Sequence, residues 1–341
     1  MKAFRARSLL TPLVPVYAGA IAIKSKLFER GILPQRGLRH RVISVGSLSA
    51  GGAGKTPVVL MLAELLQQER FEIRILSRGY GRNGIGIERV DPAGEAAHFG
   101  DEPLLMARRL PSASVYVATD RHRAGRLAER DDSAEVRAIY LLDDGFQHRK
   151  LSRNVDIVLL TRQDIEDTLL PAGDLREPLS ALLRADVIVL REEESTLAEE
   201  VKERFAGSCP PIWLIRRRLR FADEAQPASR PLAFCGLARP ESFFSMLATN
   251  GIFPVATVIF RDHHPYSSAD IDRLIQAAKQ QGANGFVTTE KDAVKFSPDM
   301  LRGLESIGPV VAPQLHVEFV DEQAGLETLR SLLVKKRKRT A

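Results

Sequence analysis

Residues 49–56 read Ser-Ala-Gly-Gly-Ala-Gly-Lys-Thr, a set of residue types suited to holding a polyphosphate. Gly51, Gly52 and Gly54 let the backbone come close enough to surround phosphate oxygens with N–H donors. Lys55 supplies positive charge to the outer phosphates, and the Thr56 hydroxyl is a ligand for magnesium. Ser49, Ala50 and Ala53 complete the loop, with Ser49 standing where the pattern GxxxxGK(S/T) has its first glycine. Pro57 follows at a helix start, where its missing N–H costs little because that donor has no intrahelical partner. An ordinary glycine turn could end in Gly-Lys-Thr, but a second signal accompanies this one. The apolar run 138–142 ends in Asp143-Asp144-Gly145, the form of a strand that aims carboxylates at nucleotide-bound magnesium. Together they predict ATP and Mg2+ as the bound species, with transfer of the γ-phosphoryl group to an acceptor and nucleotide-driven switching as the two chemistries such a site serves.

Transfer between oxygens also requires a group that accepts the hydroxyl proton, which directs attention to carboxylates and histidines. Gly100-Asp101-Glu102-Pro103 puts two acids at a helix start, where capping is the competing role. Ser77-Arg78-Gly79-Tyr80-Gly81-Arg82 follows a strand, either as a turn or as part of a ligand site at the carboxyl edge of a sheet. Phe260-Arg261-Asp262-His263-His264-Pro265 gathers ionisable groups after another strand, but the histidines lack the spaced partners of a zinc site. Thr288-Thr289-Glu290-Lys291-Asp292 also follows a strand, and its order differs from the base-reading TKxD of guanine-specific GTPases.

Positioning these loops takes a succession of short strands. Runs at 41–45, 71–76, 115–118, 138–142, 156–160 and 187–190 read as strands with helical patterns between several of them, which predicts a parallel sheet covered by helices. From Pro231 a shorter series begins, with strands at 232–235, 255–260 and 285–288 and a helix at 268–281. The expected fold is α/β: a P-loop NTPase-like parallel sheet domain at 36–225, a smaller α/β domain closing the cleft at 226–334, an N-terminal membrane-associated helical segment at 1–35 and a basic tail at 335–341.

Charge is concentrated at the two ends. Residues 1–30 carry six basic side chains, among them Arg5, Arg7, Lys24 and Lys26, against one acid, and 335–339 are five consecutive Lys or Arg. The body between is mildly acidic and offers no basic face for nucleic acid, whereas both ends suit an anionic membrane surface, the last run having a solvated tail as its alternative. Residues 9–23 form an uncharged apolar run containing Pro12 and Pro15. It falls short of the roughly 20 apolar residues needed to span a bilayer. Ala18-Gly19-Ala20 resembles a signal-cleavage site, but a site that needs cytosolic ATP argues against export. An interfacial segment and a buried core helix remain. Cys209 and Cys235 have no CxxC spacing and fit a reducing compartment.

The segments in order resemble one family, the tetraacyldisaccharide 4'-kinases of lipid A biosynthesis. The likeness runs through VGSLSAGGAGKTP from Val45, SRGYGR from Ser77, GDEP from Gly100, LLDDGFQH from Leu141, LPAGDLREPLSALLRAD from Leu170, FCGLARPESFF from Phe234, FRDHHPY from Phe260 and VTTEKDAVK from Val287. Ser47, where the family usually has asparagine, and Asp174 depart from the pattern and bear on substrate contacts. The resemblance implies transfer of ATP's γ-phosphate to the 4'-hydroxyl of an acylated glucosamine disaccharide 1-phosphate at the cytoplasmic face of a Gram-negative inner membrane, with no obligate protein partner. It implies Asp101 as general base paired with His263, and Lys55 and Thr56 as phosphate and magnesium contacts. Asp144, with Asp143 and Glu102, would be the metal-side carboxylates, and Arg78, Arg121 and Arg176 partners for phosphate groups. The rivals are a P-loop kinase of a soluble metabolite and a nucleotide-driven switch or assembly factor.

Overall fold

Strand β1 (Arg41–Ser47) is buried along almost its whole length, as a central parallel strand covered on both faces must be. In the computed structural model, which describes residues 9–131, 137–222 and 226–334, β1 lies between β5 (Ala138–Asp143) and β6 (Val155–Leu159). The remaining strands of this sheet are β2 (Glu72–Ser77), β3 (Glu88–Arg89), β4 (Ser114–Val117), β7 (Val187–Arg191), β8 (Ile212–Arg220) and β13 (Gln314–Phe319), in the order β13-β8-β7-β6-β1-β5-β2-β4-β3. Only the two edge pairings, β13 with β8 and β3 with β4, are antiparallel. Alternate side chains serve opposite faces. Ile43, Val45, Ile75 and Leu141 join one core with Val58, Leu62 and Leu66 of the helix Lys55–Gln68, while Val42, Leu76, Tyr140 and Leu142 join another with Ala124.

A second, fully parallel sheet, β10-β9-β11-β12, is built from β9 (Leu232–Cys235), β10 (Ala256–Ile259), β11 (Phe286–Val287) and β12 (Val310–Val311). Phe234 anchors it, with the rings of Phe260, Tyr266, Phe286 and Phe296 about its own. The chain then returns to the first sheet. β13 pairs with β8, Phe319 packs edge-on to Trp213 at 5.0 Å, and Leu329 and Leu332 of the helix Glu322–Val334 enter the core beneath Lys55–Gln68. The smaller unit is therefore not the continuous stretch 226–334 of the sequence reading: its last strand and helix cover an otherwise open edge of the large sheet. Residues 223–225, at the expected boundary between the two domains, and the basic tail 335–341 lie outside the described residues, as do Lys2, Arg5 and Arg7.

The N-terminal segment is a short 3-10 turn, Thr11–Leu13, leading into the helix Val14–Glu29. Pro12 and Pro15 sit in first turns, where they are tolerated. Of this helix only Phe28 is buried, capped by the Arg149 guanidinium 4.9 Å from its ring, while Leu9, Leu13, Val16 and Ile23 are exposed. A buried core helix is thereby excluded. No helix among the described residues is long and apolar enough to cross a membrane. The segment is tied to the large unit through Tyr17, whose hydroxyl donates to the Arg176 carbonyl at 3.1 Å, and through Arg149, which donates to Ser25 Oγ at 2.8 Å.

Gly46, at the mouth of the phosphate loop, is set by close approach: a Cβ there would lie 2.5 Å from Phe146 Cβ and 2.8 Å from Phe146 N. Gly46→Ala is expected to destabilise the fold by about 1–3 kcal/mol, the usual range for overpacking. A lowered urea midpoint at unchanged slope would show it; an unchanged midpoint would mean that the Phe146 segment yields freely.

Candidate active site

The loop after β1 and the carboxylates after β5 share one edge because the two strands are adjacent and parallel, with Val45 in register with Asp143. Gly51, Gly52 and Gly54 have φ of 92°, 68° and 84°, values that keep L side chains out and leave the loop backbone open. Lys55 and Thr56 begin the helix behind it. Lys55 Nζ lies 3.3 Å from Asp144 Oδ1 and 3.3 Å from Ser47 Oγ, so the serine at this departure from the family pattern holds the loop lysine. Arg176 arrives on a segment that hydrogen-bonds to the loop: Ala50 N donates to the Asp174 carbonyl at 2.9 Å and Arg176 N to the Leu48 carbonyl at 2.8 Å. Its guanidinium then grips Asp144 with two bonds of 2.8 and 2.7 Å.

Neighbouring carboxylates are thus driven in opposite directions. Burial pushes Asp144 up, but the Arg176 hydrogen bonds and the Lys55 charge outweigh it and hold the group well below the usual carboxylate range. Its φ of 48° is a left-handed conformation, uncommon for a non-glycine residue though more accessible to aspartate than to most. Asp143 is 2% exposed, and burial together with the charges of Glu102 and Asp144 pushes it up to about 7. Ser77 Oγ donates to its Oδ2 at 3.0 Å, while its buried Oδ1 has no hydrogen-bond partner among the described residues. An unpartnered carboxylate oxygen amid accumulated negative charge, with the Thr56 hydroxyl and Glu102 as further oxygen donors, fits a hard divalent cation such as Mg2+. The sequence reading put Asp144 first among the metal-side acids; the free ligand capacity here is on Asp143.

The remaining predicted acid and histidine come from different sheets and meet. The Gly100 backbone, with φ of 95°, packs against Gly79, bringing the turn before the helix Asp101–Arg109 onto the loop after β2. Asp101, 7% exposed, accepts from the Glu102 N–H through Oδ1 at 2.9 Å, and its Oδ2 is 2.8 Å from His263 Nδ1. The histidine follows β10 of the small sheet with φ of 55°, and Tyr80 lies 5.3 Å away, ring to ring. Burial would raise the Asp101 pKa, but the His263 hydrogen bond and the Lys291 and Lys295 charges bring it below the ordinary value. His263 is raised, chiefly by that same hydrogen bond, with burial and Lys291 opposing.

Of the three predicted arginines, Arg176 is in the cluster. Arg121 is buried, donates to the Thr119 carbonyl at 2.9 Å and has its pKa lowered by burial, with Asp144 and Asp143 opposing. Arg78 is exposed, and its charge acts on Arg121. Sequence reasoning missed Arg191, at the carboxyl end of β7, which donates to the Ala53 carbonyl at 3.0 Å. It singled out the segment holding Lys291 but gave that residue no role; its Nζ lies 3.2 Å from both Glu102 Oε1 and His263 Nε2. For both, the available signal was a charged residue just beyond a strand.

A phosphate loop at the carboxyl edge of a largely parallel sheet, beside a strand ending in paired carboxylates, defines a P-loop nucleotide-binding protein. Within that class the chain belongs to the tetraacyldisaccharide-1-P 4'-kinase family, whose family model matches residues 6–334, and it is a kinase. A tetraacyldisaccharide 4'-kinase of Koribacter versatilis is 38% identical over 330 residues, covering 95% of this chain and 98% of the relative. One from Aquifex aeolicus is 38% identical over 313 residues, covering 88% and 92%. The crystal structure of LpxK from Aquifex aeolicus in complex with ATP is similar with a TM-score of 0.76 at 34% identity, over 96% of this chain and 99% of that one.

Because the folded Asp143 pKa is raised, the folded state binds more protons than the unfolded chain between about pH 4 and 7, and stability falls as pH rises through that window. Asp143→Asn is therefore expected to stabilise the ligand-free protein by about 1–3 kcal/mol above pH 7, a gain that fades as pH falls toward 4. Urea unfolding at pH 8 and pH 5 measures it, and equal effects at both would contradict the assignment.

Proposed function

We propose that the protein binds ATP with magnesium at the phosphate loop and transfers the γ-phosphoryl group to the 4'-hydroxyl of a tetraacylated glucosamine disaccharide 1-phosphate. The observation that carries this reading is the 2.8 Å bond from Asp101 to His263, which joins the two sheets beside the phosphate loop and gives the cleft a proton acceptor as well as a phosphate cradle. The acceptor oxygen forms a bond to the γ-phosphorus as the bond to the β–γ bridging oxygen breaks, ADP leaves, and the hydroxyl proton goes to the Asp101 carboxylate, which His263 holds in place. Lys55 neutralises charge on the transferring group, and Arg176, Arg121 and Arg78 supply further positive charge for phosphates. Thr56 and Asp143, with Asp144 and Glu102, are the residues that would hold a magnesium ion, which would supply neutralisation of the phosphate charge.

The exposed apolar residues Leu9, Leu13, Val16 and Ile23, flanked by Lys24 and Lys26, support a peripheral location on the cytoplasmic face of an inner membrane. There the acceptor's acyl chains stay in the bilayer while its sugar enters the cleft. That surface has no use in a kinase of a soluble metabolite, and a proton acceptor has little in a switch. The division into two units with the reacting groups on both gives closure the role of excluding water.

Incubation with γ-labelled ATP and the disaccharide lipid lacking its 4'-phosphate is expected to give labelled lipid; labelled inorganic phosphate alone would favour the switch. Asp101→Ala is expected to cost at least about a hundredfold in rate, the scale of general-base removal, whereas near-normal activity would return Asp101 to capping. His263→Ala should lower kcat far more than it weakens ATP binding, and equal losses would reject its assisting role.

A further inference from the structure

Lys291 has no part in the reaction as described, yet three polar groups converge on its ammonium. An ammonium has three donors and no acceptor. Here it faces Glu102 Oε1 at 3.2 Å, Asp262 Oδ1 at 3.3 Å and His263 Nε2 at 3.2 Å. Burial works against its charge, but Glu102, Asp101 and Asp262 outweigh burial and keep it protonated. Its place is fixed from the next residue: Glu290, on the same one-turn helix Glu290–Ala293, takes two bonds of 3.0 and 2.9 Å from Arg109 at the far end of the helix that begins with Asp101. The Leu315 N–H also donates to Glu290, at 3.0 Å.

A ring nitrogen that faces an ammonium has to present its lone pair, and a doubly protonated ring would press a second N–H against the cation. The single ring proton then lies on Nδ1, where it is donated to Asp101 Oδ2. We propose that Lys291 is a positioning residue that fixes His263 as the neutral Nδ1–H tautomer, leaving Asp101 and not His263 as the group able to take the acceptor's proton. This rests on the assignment of Asp101 and His263 to the reaction given above. Three other groups face the pair: Lys295, 3.9 Å from Asp101 Oδ2, Tyr80, beside the ring, and Asp262, whose Oδ2 lies 3.9 Å from Nε2 and whose charge, like that of Asp101, favours a second ring proton where Lys291 opposes it. None of the three reaches Nε2 with a hydrogen bond among the described residues.

The test is 15N NMR of the histidine rings in the full chain, with the His263 signals assigned by their loss in His263→Ala. The wild type is expected to show a pyrrole-like Nδ1 and a pyridine-like Nε2. In Lys291→Met that single signature should be lost and kcat should fall about tenfold or more, the scale on which outer partners of reactive groups act, with the KM for ATP little changed. Lys291→Arg should recover part of both. A wild-type ring protonated on Nε2 overturns the proposal with no variant needed, and so does Lys291→Met with undiminished kcat. Failure of the underlying reading would be seen separately, as full activity in His263→Ala whatever the tautomer.

Discussion

The bond between Asp101 and His263 ties together residues 162 positions apart, one at the edge of the nine-stranded sheet and one beyond a strand of the four-stranded sheet. Its cost is visible on both sides. Asp101 is almost fully buried as a carboxylate, and His263 holds a left-handed backbone, a conformation that costs on the order of 1–3 kcal/mol in a non-glycine residue. Such an arrangement persists only if its surroundings over-determine it. Here they do: Lys291 and Lys295 answer the charges of Asp101, Glu102 and Asp262, Asp292 holds Lys295 at 2.9 Å and accepts the Gly236 N–H at 2.9 Å, and Arg109 locks Glu290.

Across the cleft the same logic divides two adjacent carboxylates. Arg176 and Lys55 claim Asp144, while burial and the charges of Glu102 and Asp144 outweigh Lys55 and load Asp143. Environments that push like groups apart in this way are how one site obtains distinct roles from identical side chains. The N-terminal helix is connected to this side through Tyr17 and the Arg176 main chain, so the element proposed to meet lipid and the residue that grips Asp144 are mechanically continuous.

Local signals carried much of this into the sequence. The phosphate loop was legible because glycine spacing, Lys55 and Thr56 lie within one turn of chain, and the helix Ser268–Gln281 because Ser267 and Asp270 form a capping box and Gly282 ends it at φ 62°. The resemblance supplied the pairing of Asp101 with His263, which residue types alone left balanced against capping. Three features had no local signature. The return of β13 to the large sheet depends on which edge stands open. The preference for Asp143 as the oxygen with spare capacity depends on Arg176 arriving from a distant loop. Lys291 looked like one charge among several until Glu102, Asp262 and His263 converged on it.

A double-mutant cycle on Asp101→Asn and His263→Ala, read as kcat at saturating ATP and acceptor, tests the central claim most directly. If the two side chains act as one unit across the cleft, the double variant will be no slower than the slower single variant. Losses that multiply would mean that the residues act independently and that the contact between the sheets has no part in proton removal.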